Sequence, residues 1–280
     1  MLYLLFVFYF ILLSWSIRKG KFFKKSALTA DTLQLLFFIH VITGVVSTWF
    51  FLKYSAVFDS NVFQQQGILQ FDLLVHHPGE YFTNLFQDNY HGNYSGLMDV
   101  NDSYWNDTRS NVLFKLLSVF NIFSFKNFFI NTLFFVYLVF YGNVALYKVF
   151  QKIFPDCRLT NILTIFLLPS ALLFTSLIHR DGLIFLSLSF ISYHIFFGLR
   201  EKHFGIKRIL ILLFYLFIVF ILRNYIVILL IPPLLAWIIS SYKPKYSLII
   251  FISVMVISAI AFFCVRYLIP ALDFPEFVAS

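Results

Sequence analysis

Ile209 to Ile239 reads ILILLFYLFIVFILRNYIVILLIPPLLAWII, an apolar run interrupted only by Arg223-Asn224. A bilayer core about 30 Å thick is crossed by about 20 helical residues. One helix of this length overshoots that core and sets Arg223 near its middle, where a charge is costly. The run therefore reads as two short spans, with Arg223-Asn224-Tyr225 at the turn between them. Working outward, the flanking sequence has the same character. The chain is 60% hydrophobic and 12% charged, against roughly 25% charged residues in a soluble domain. It is an all-α polytopic membrane protein by composition.

The other spans follow from the apolar runs. They are Met1 to Ile17, Thr32 to Leu52, Asn127 to Tyr147, Leu159 to Ile178 with a kink at Pro169, a return span to Leu199, and Tyr246 to Leu268. Charges follow the first run instead of preceding it, so it reads as a retained helix and not as a cleaved signal. The total is about eight spans in a single membrane domain, 1–280. The net charge of +8 lies in short clusters: Arg18, Lys19, Lys21, Lys24 and Lys25; Lys148, Lys152 and Arg158; Arg200, Lys202, Lys207 and Arg208; Lys243 and Lys245. Clusters of this kind mark cytoplasmic loops, so nucleic acid is not an expected partner. The break at Arg223 keeps Lys243 and Lys245 on that inner side.

One long hydrophilic stretch, 53–111, is left on the outer side. It holds Asp59, Asp72, Glu80, Asp88, Asp99, Asp102 and Asp107, seven of the thirteen acidic residues. Its aromatic content is too high for a solvated tether, so the loop is expected to be folded. From Tyr104 to Phe125, Trp105, Val112, Leu116, Val119 and Phe123 recur near helical spacing, interleaved with Asn106, Arg109, Ser110 and Lys115. That pattern fits a helix lying in the membrane interface.

Four groups could carry chemistry. Asp59, just beyond an outward-running span, sits where a carboxylate can work as a general base; as an alternative, it simply shapes a turn at the membrane surface. The run Asp99 to Asp107 includes Asp102, a second candidate catalytic carboxylate, and Trp105, which could stack on a sugar. Asp99, Asp102 and Asp107 are also candidate oxygen ligands for a divalent cation, with helix capping as the simpler role. His179-Arg180-Asp181 opens the return span, where a helix N-terminus and a guanidinium together attract phosphate; as an alternative, it is a short outer turn with Arg180 reaching to lipid headgroups. Arg223 lies at an outer turn. His76 and His77 read as solvated, and His40 and His194 as packing between helices. Cys157 and Cys264 fall on opposite sides and cannot pair. No nucleotide-binding or dinucleotide fingerprint, HExxH or GxSxG is present.

An Asp just after an outward-running span, a long outer loop, an interfacial helix and further spans together resemble the GT-C superfamily of membrane glycosyltransferases. Asn101-Asp-Ser-Tyr-Trp-Asn-Asp and the segment from Pro169 to Gly182 are also similar to segments of uncharacterised bacterial envelope proteins of that kind. The resemblance covers roughly Thr32 to Leu199. It implies transfer of a sugar from a polyprenyl-phosphate donor at the outer face of the bacterial inner membrane. Asp59 would then be the base, and Arg180 would hold the donor phosphate. No cofactor is required, a divalent cation being the one candidate. Membrane lipids and the lipid-linked sugar are the implied partners, joined by a protein partner if the chain is a fragment. Against the usual pattern, the loop follows the second span and not the first, and the spans are fewer. The alternatives are a polysaccharide repeat-unit polymerase or ligase, and a non-enzymatic transporter or envelope-complex subunit.

Cysteines placed at Ser95 and Ser241 in a chain lacking its native thiols are expected to react with an impermeant maleimide from opposite sides of the membrane. Reaction of both from one side would overturn this topology.

Overall fold

The computed structural model describes residues 2–55, 58–83, 109 and 111–268. Among the described residues every regular element is helical. In chain order these are α1 (Leu2–Lys19), α2 (Lys21–Lys24), α3 (Ala30–Tyr54), α4 (Asp59–His76), α5 (Pro78–Thr83), α6 (Asn111–Ser124), α7 (Phe128–Ile153), α8 (Arg158–Ile162), α9 (Pro169–Ser176), α10 (Arg180–Glu201), α11 (Ile206–Leu222), α12 (Asn224–Tyr242) and α13 (Ser247–Leu268). Among the described residues six helical segments are long and apolar enough to cross a membrane: α1, α3, α7, α10, α12 and Pro244–Cys264. A seventh is gained if Arg158–Leu167 and Pro169–Ser176 count as one span bent by 49°. The bend has a local cause. Leu168 takes ψ 120° because the following Pro169 disfavours helical backbone before it, and Pro169 then opens α9. The expected break at Arg223 is also present, with φ −154° and ψ 89° between α11 and α12. At 17 residues, α11 is about 25 Å long.

The chain forms two compact units, Met1–Leu85 with Val112–His194, and Phe86–Asn111 with Ile195–Ser280. In the first, α1, α2, α3, α7 and the π-helical turn Leu163–Leu167 enclose a core that includes Phe23, Phe37, Leu133, Phe140, Tyr147 and Phe166. Contacts fix which helix ends lie together. Arg18 is 3.5 Å from Asp31, the Lys148 ammonium donates to the Phe22 carbonyl at 2.6 Å, and it lies 5.5 Å from the Tyr193 ring. One end of the unit is therefore lysine-rich. At the other end the Tyr9 hydroxyl donates to the Phe123 carbonyl at 3.0 Å, and α4 and α6 meet the start of α7. In the second unit α12 packs against both α11 and α13, and Arg208 pairs with Glu201 at 2.8 Å.

Two features go beyond the sequence reading. The stretch after Tyr54, expected to be folded, begins with a helix that the sequence reading did not place: the 18-residue α4 starts at Asp59 and ends with its cap at His77, where the following Pro78 disfavours helical backbone. Its buried residues Ser60, Phe63, Gln64 and Gly67 recur at i, i+3, i+4 and i+7, but only Phe63 is a large apolar side chain, so the stripe carries no hydrophobic signal. In α6 the side chains divide between an inner and an outer face. Lys115, Ser118, Asn121 and Ser124 are buried, whereas Val119, Ile122 and Phe123 are exposed. Polar groups in this helix are buried beside Leu113 and Leu117, while Val119, Ile122 and Phe123 are left outside. Residues 104–108 and 110 of the expected interfacial helix lie outside the described residues.

Close backbone approaches hold the first unit together. A Cβ on Gly44 of α3 would stand 2.5 Å from the Ser176 carbonyl oxygen, and one on Gly142 of α7 would stand 2.9 Å from Leu186 Cα. Small residues at such crossings let helices pack without a lipid-exclusion driving force. Gly44→Ala is expected to lose about 1–3 kcal/mol of stability, because the obstructing atom is backbone and cannot swing away. Thermal unfolding in detergent would register this as a lowered midpoint, while an unchanged midpoint would rule out the tight α3–α9 contact.

Candidate functional site

The Gly44 contact sets the end of α9 against α3, and the chain then turns through Leu177 and Ile178, both buried, into α10. At that turn the His179 ring sits between two carboxylates. Its Nε2 is 3.6 Å from Asp59 Oδ2, and its Nδ1 is 3.2 Å from Asp181 Oδ2. The first distance is too long for a direct hydrogen bond and suits one bridging water or a small inward movement. Phe63 packs edge-on against the imidazole at 5.9 Å, and Phe174 lies at 6.2 Å. The side chain of His179 is 19% exposed and that of Asp59 is 63% exposed. An exposed carboxylate thus stands at the surface, with a largely enclosed imidazole behind it.

The protonation of His179 has two self-consistent arrangements. Its Nδ1 also lies 3.2 Å from the backbone nitrogen of Asp181. A neutral ring accepts that N–H at Nδ1 and presents Nε2–H towards Asp59. A protonated ring donates from both nitrogens, to Asp181 Oδ2 and towards Asp59. Helix ends steady both acids: Asp59 occupies the first turn of α4 and Asp181 the first turn of α10, where the helix dipole favours negative charge. The Arg180 guanidinium carbon lies 5.6 Å from the centre of the Phe63 ring, a cation–π distance. With His179 neutral, these four side chains sum to one negative charge. That balance welcomes a hydroxyl-bearing ligand better than a bare phosphate.

The placement of Asp59 depends on how α4 is anchored. Asn131, inside α7, donates to Gln64 Oε1 at 2.9 Å and to Asn121 Oδ1 at 2.6 Å, while Gln64 Nε2 donates to the Lys126 carbonyl at 3.3 Å. One amide ladder therefore joins α4, α6 and α7. A second tie holds α5: the Lys115 ammonium donates to the Tyr81 carbonyl at 2.8 Å and sits 3.6 Å from the ring centre, and the Tyr81 hydroxyl meets Ser118 at 2.8 Å. Sequence reasoning missed the ladder. Its available signal was Asn131, a lone amide four residues into a strongly apolar run, where an unsatisfied polar group is expensive.

Of the residues singled out from sequence, Asp59, His179, Arg180 and Asp181 come together at one end of the first unit. Arg223 belongs to the second unit, where Nη1 donates to the Tyr225 hydroxyl. Asp99, Asp102, Trp105 and Asp107 lie outside the described residues. Among the described residues no three His, Cys, Asp or Glu side chains converge in a way that would hold a metal ion. His40 is a buried packing residue: its Nδ1 donates to the Leu36 carbonyl at 2.9 Å, and its Nε2 accepts from Asn143 at 2.9 Å. His76 is exposed and bonds the Asp72 carbonyl, and Cys157 and Cys264 are free thiols. Comparison with protein-family models, with curated proteins and with solved structures finds no match for this chain.

Burial holds the Lys115 ammonium below its usual value of 10.5. Over the interval between its folded value and 10.5 the unfolded chain binds more protons than the folded one, so this group makes stability rise with pH there. Lys115→Met is expected to remove that rise. Unfolding midpoints of both proteins against pH would show it as parallel curves below the interval and a smaller alkaline gain in the variant within it; equal slopes there would overturn it.

Proposed function

We propose that this protein is a membrane glycosyltransferase, moving a sugar from a polyprenyl-phosphate-linked donor to an acceptor hydroxyl at the outer face of a bacterial inner membrane. The observation that carries the reading is the exposed Asp59 carboxylate set 3.6 Å from an enclosed imidazole, beside Arg180 and the N-terminus of α10. On this reading the bent pair and α11 complete eight spans, and the lysine-rich end faces the cytoplasm.

The acceptor oxygen forms its bond to the anomeric carbon of the sugar as the bond from that carbon to the lipid phosphate breaks. The proton of the acceptor hydroxyl passes to Asp59, whose exposure lets it reach a substrate. His179, held by Asp181 at its other nitrogen, orients Asp59 and steadies its charge. Arg180 and the positive end of the α10 dipole meet the charge that develops on the departing phosphate. The two carboxylates keep the resting site from retaining that phosphate tightly, which favours release of the spent lipid.

Purified protein in proteoliposomes, supplied with polyprenyl-phosphate sugars and candidate polyol acceptors, is the direct assay, with free polyprenyl phosphate as the readout. Asp59→Asn is expected to abolish release while leaving donor retention intact, since it removes basicity and almost no volume. Arg180→Ala is expected to weaken donor binding by about 1.5–3 kcal/mol, the worth of one charge-assisted hydrogen bond. Full turnover by the Asp59 variant would sink the proposal.

A further inference from the structure

Towards the C-terminal end of α4, on the face that continues its buried stripe, Phe71, Leu74 and Val75 face Ile122 and Phe125 across a cleft of about 550 Å³. That volume falls in the usual range of small-molecule sites, about 300–1,000 Å³. The cleft walls are apolar except for two residues, Asn121 inside and Lys126 at the rim. Asn121 also lines it, is fully buried, and has an amide nitrogen without a hydrogen-bond partner. The oxygen of the same amide is engaged by Asn131 at 2.6 Å and by Ser124 at 3.4 Å. The ladder thus fixes which way the amide points and leaves a donor over. Buried donors are almost always satisfied, and a water needs two to four polar partners that an apolar cleft does not offer. The missing partner is therefore an acceptor carried by an otherwise apolar molecule.

The rim adds a second condition. Lys126 and Asp72 meet there at 2.6 Å, with side chains 41% and 40% exposed, so both charges are open to a headgroup. Around the mouth Val75, Ile122 and Phe125 are exposed, as expected of a surface in contact with lipid.

We propose that the α4–α6 cleft binds a zwitterionic glycerophospholipid, with one acyl chain between Phe71 and Ile122 and its ester carbonyl accepting from Asn121. The headgroup phosphate meets Lys126 and the headgroup ammonium meets Asp72. Each part of the lipid answers one feature of the site. The acyl chain matches the apolar walls, the ester carbonyl is a neutral acceptor at the head of the chain, and the two headgroup charges match the ion pair. An anionic lipid lacks the ammonium and brings its charge against Asp72. A polyprenyl chain has no ester carbonyl. This inference rests on the chain being embedded in a membrane and is independent of glycosyl transfer.

The test is native mass spectrometry of the full chain in detergent, titrated with phosphatidylethanolamine or with phosphatidylglycerol of the same acyl composition. The wild type is expected to retain phosphatidylethanolamine about tenfold more tightly. Ile122→Trp and Val75→Trp fill the cleft from opposite walls without touching the ladder, and each is expected to abolish that preference. Asp72→Asn, a change at the exposed rim, is expected to move the preference towards phosphatidylglycerol. Equal retention of the two lipids by the wild type overturns the proposal. So does an unchanged preference in Asp72→Asn, or in either tryptophan variant whose thermal unfolding remains cooperative.

Discussion

Asn131 is the polar group on which one end of the first unit hangs. It lies in an apolar helix where an unmet amide would cost several kcal/mol, and it donates to Gln64 on one side and to Asn121 on the other. Those two bonds dock α4 and α6 onto α7. Without them α4 would hold to the bundle by Phe63 and the close approach of Gly67 to Leu117. Because Asp59 is the first residue of α4, the position of the exposed carboxylate is inherited from an amide buried in another helix.

Backbone proximity supplies the other half of the site. Gly44 and Ser176 touch through atoms that no rotamer change can move, and this brings the segment entering α10 up to the end of α3. His179 then falls within reach of Asp59. Two unrelated constraints, one polar and one steric, converge on a pair of side chains separated by 120 positions in the chain. The cluster that results has more negative than positive charge when the imidazole is neutral, which disfavours retention of a bare anion.

Lysine placement shows the same rule at the opposite end. Lys148 is buried, yet its ammonium is met by the Phe22 carbonyl and lies 3.3 Å from the centre of the Phe22 ring. A cation held by a carbonyl and a ring face needs no carboxylate beside it. Lys115 repeats the arrangement with Tyr81 in α5 and α6. In both cases the charged group works as a clamp between elements.

Several features were legible in the sequence because they depend on composition or on purely local rules. The helical membrane class follows from the long apolar runs. The break at Arg223 follows from the cost of a charge at mid-membrane, and the bend at Pro169 from proline geometry. The extent of α4 was not legible, because its buried face is built from Ser60, Gln64 and Gly67 around the one large apolar residue Phe63, and a hydrophobic period cannot mark a stripe of that kind. Asp59 and the His179-Arg180-Asp181 run could each be picked out by position at a span end. Their adjacency could not, since it depends on which helices pack together. That was decided only in the tertiary structure, by a glycine that lets two backbones touch and an asparagine whose two hydrogens had to find acceptors.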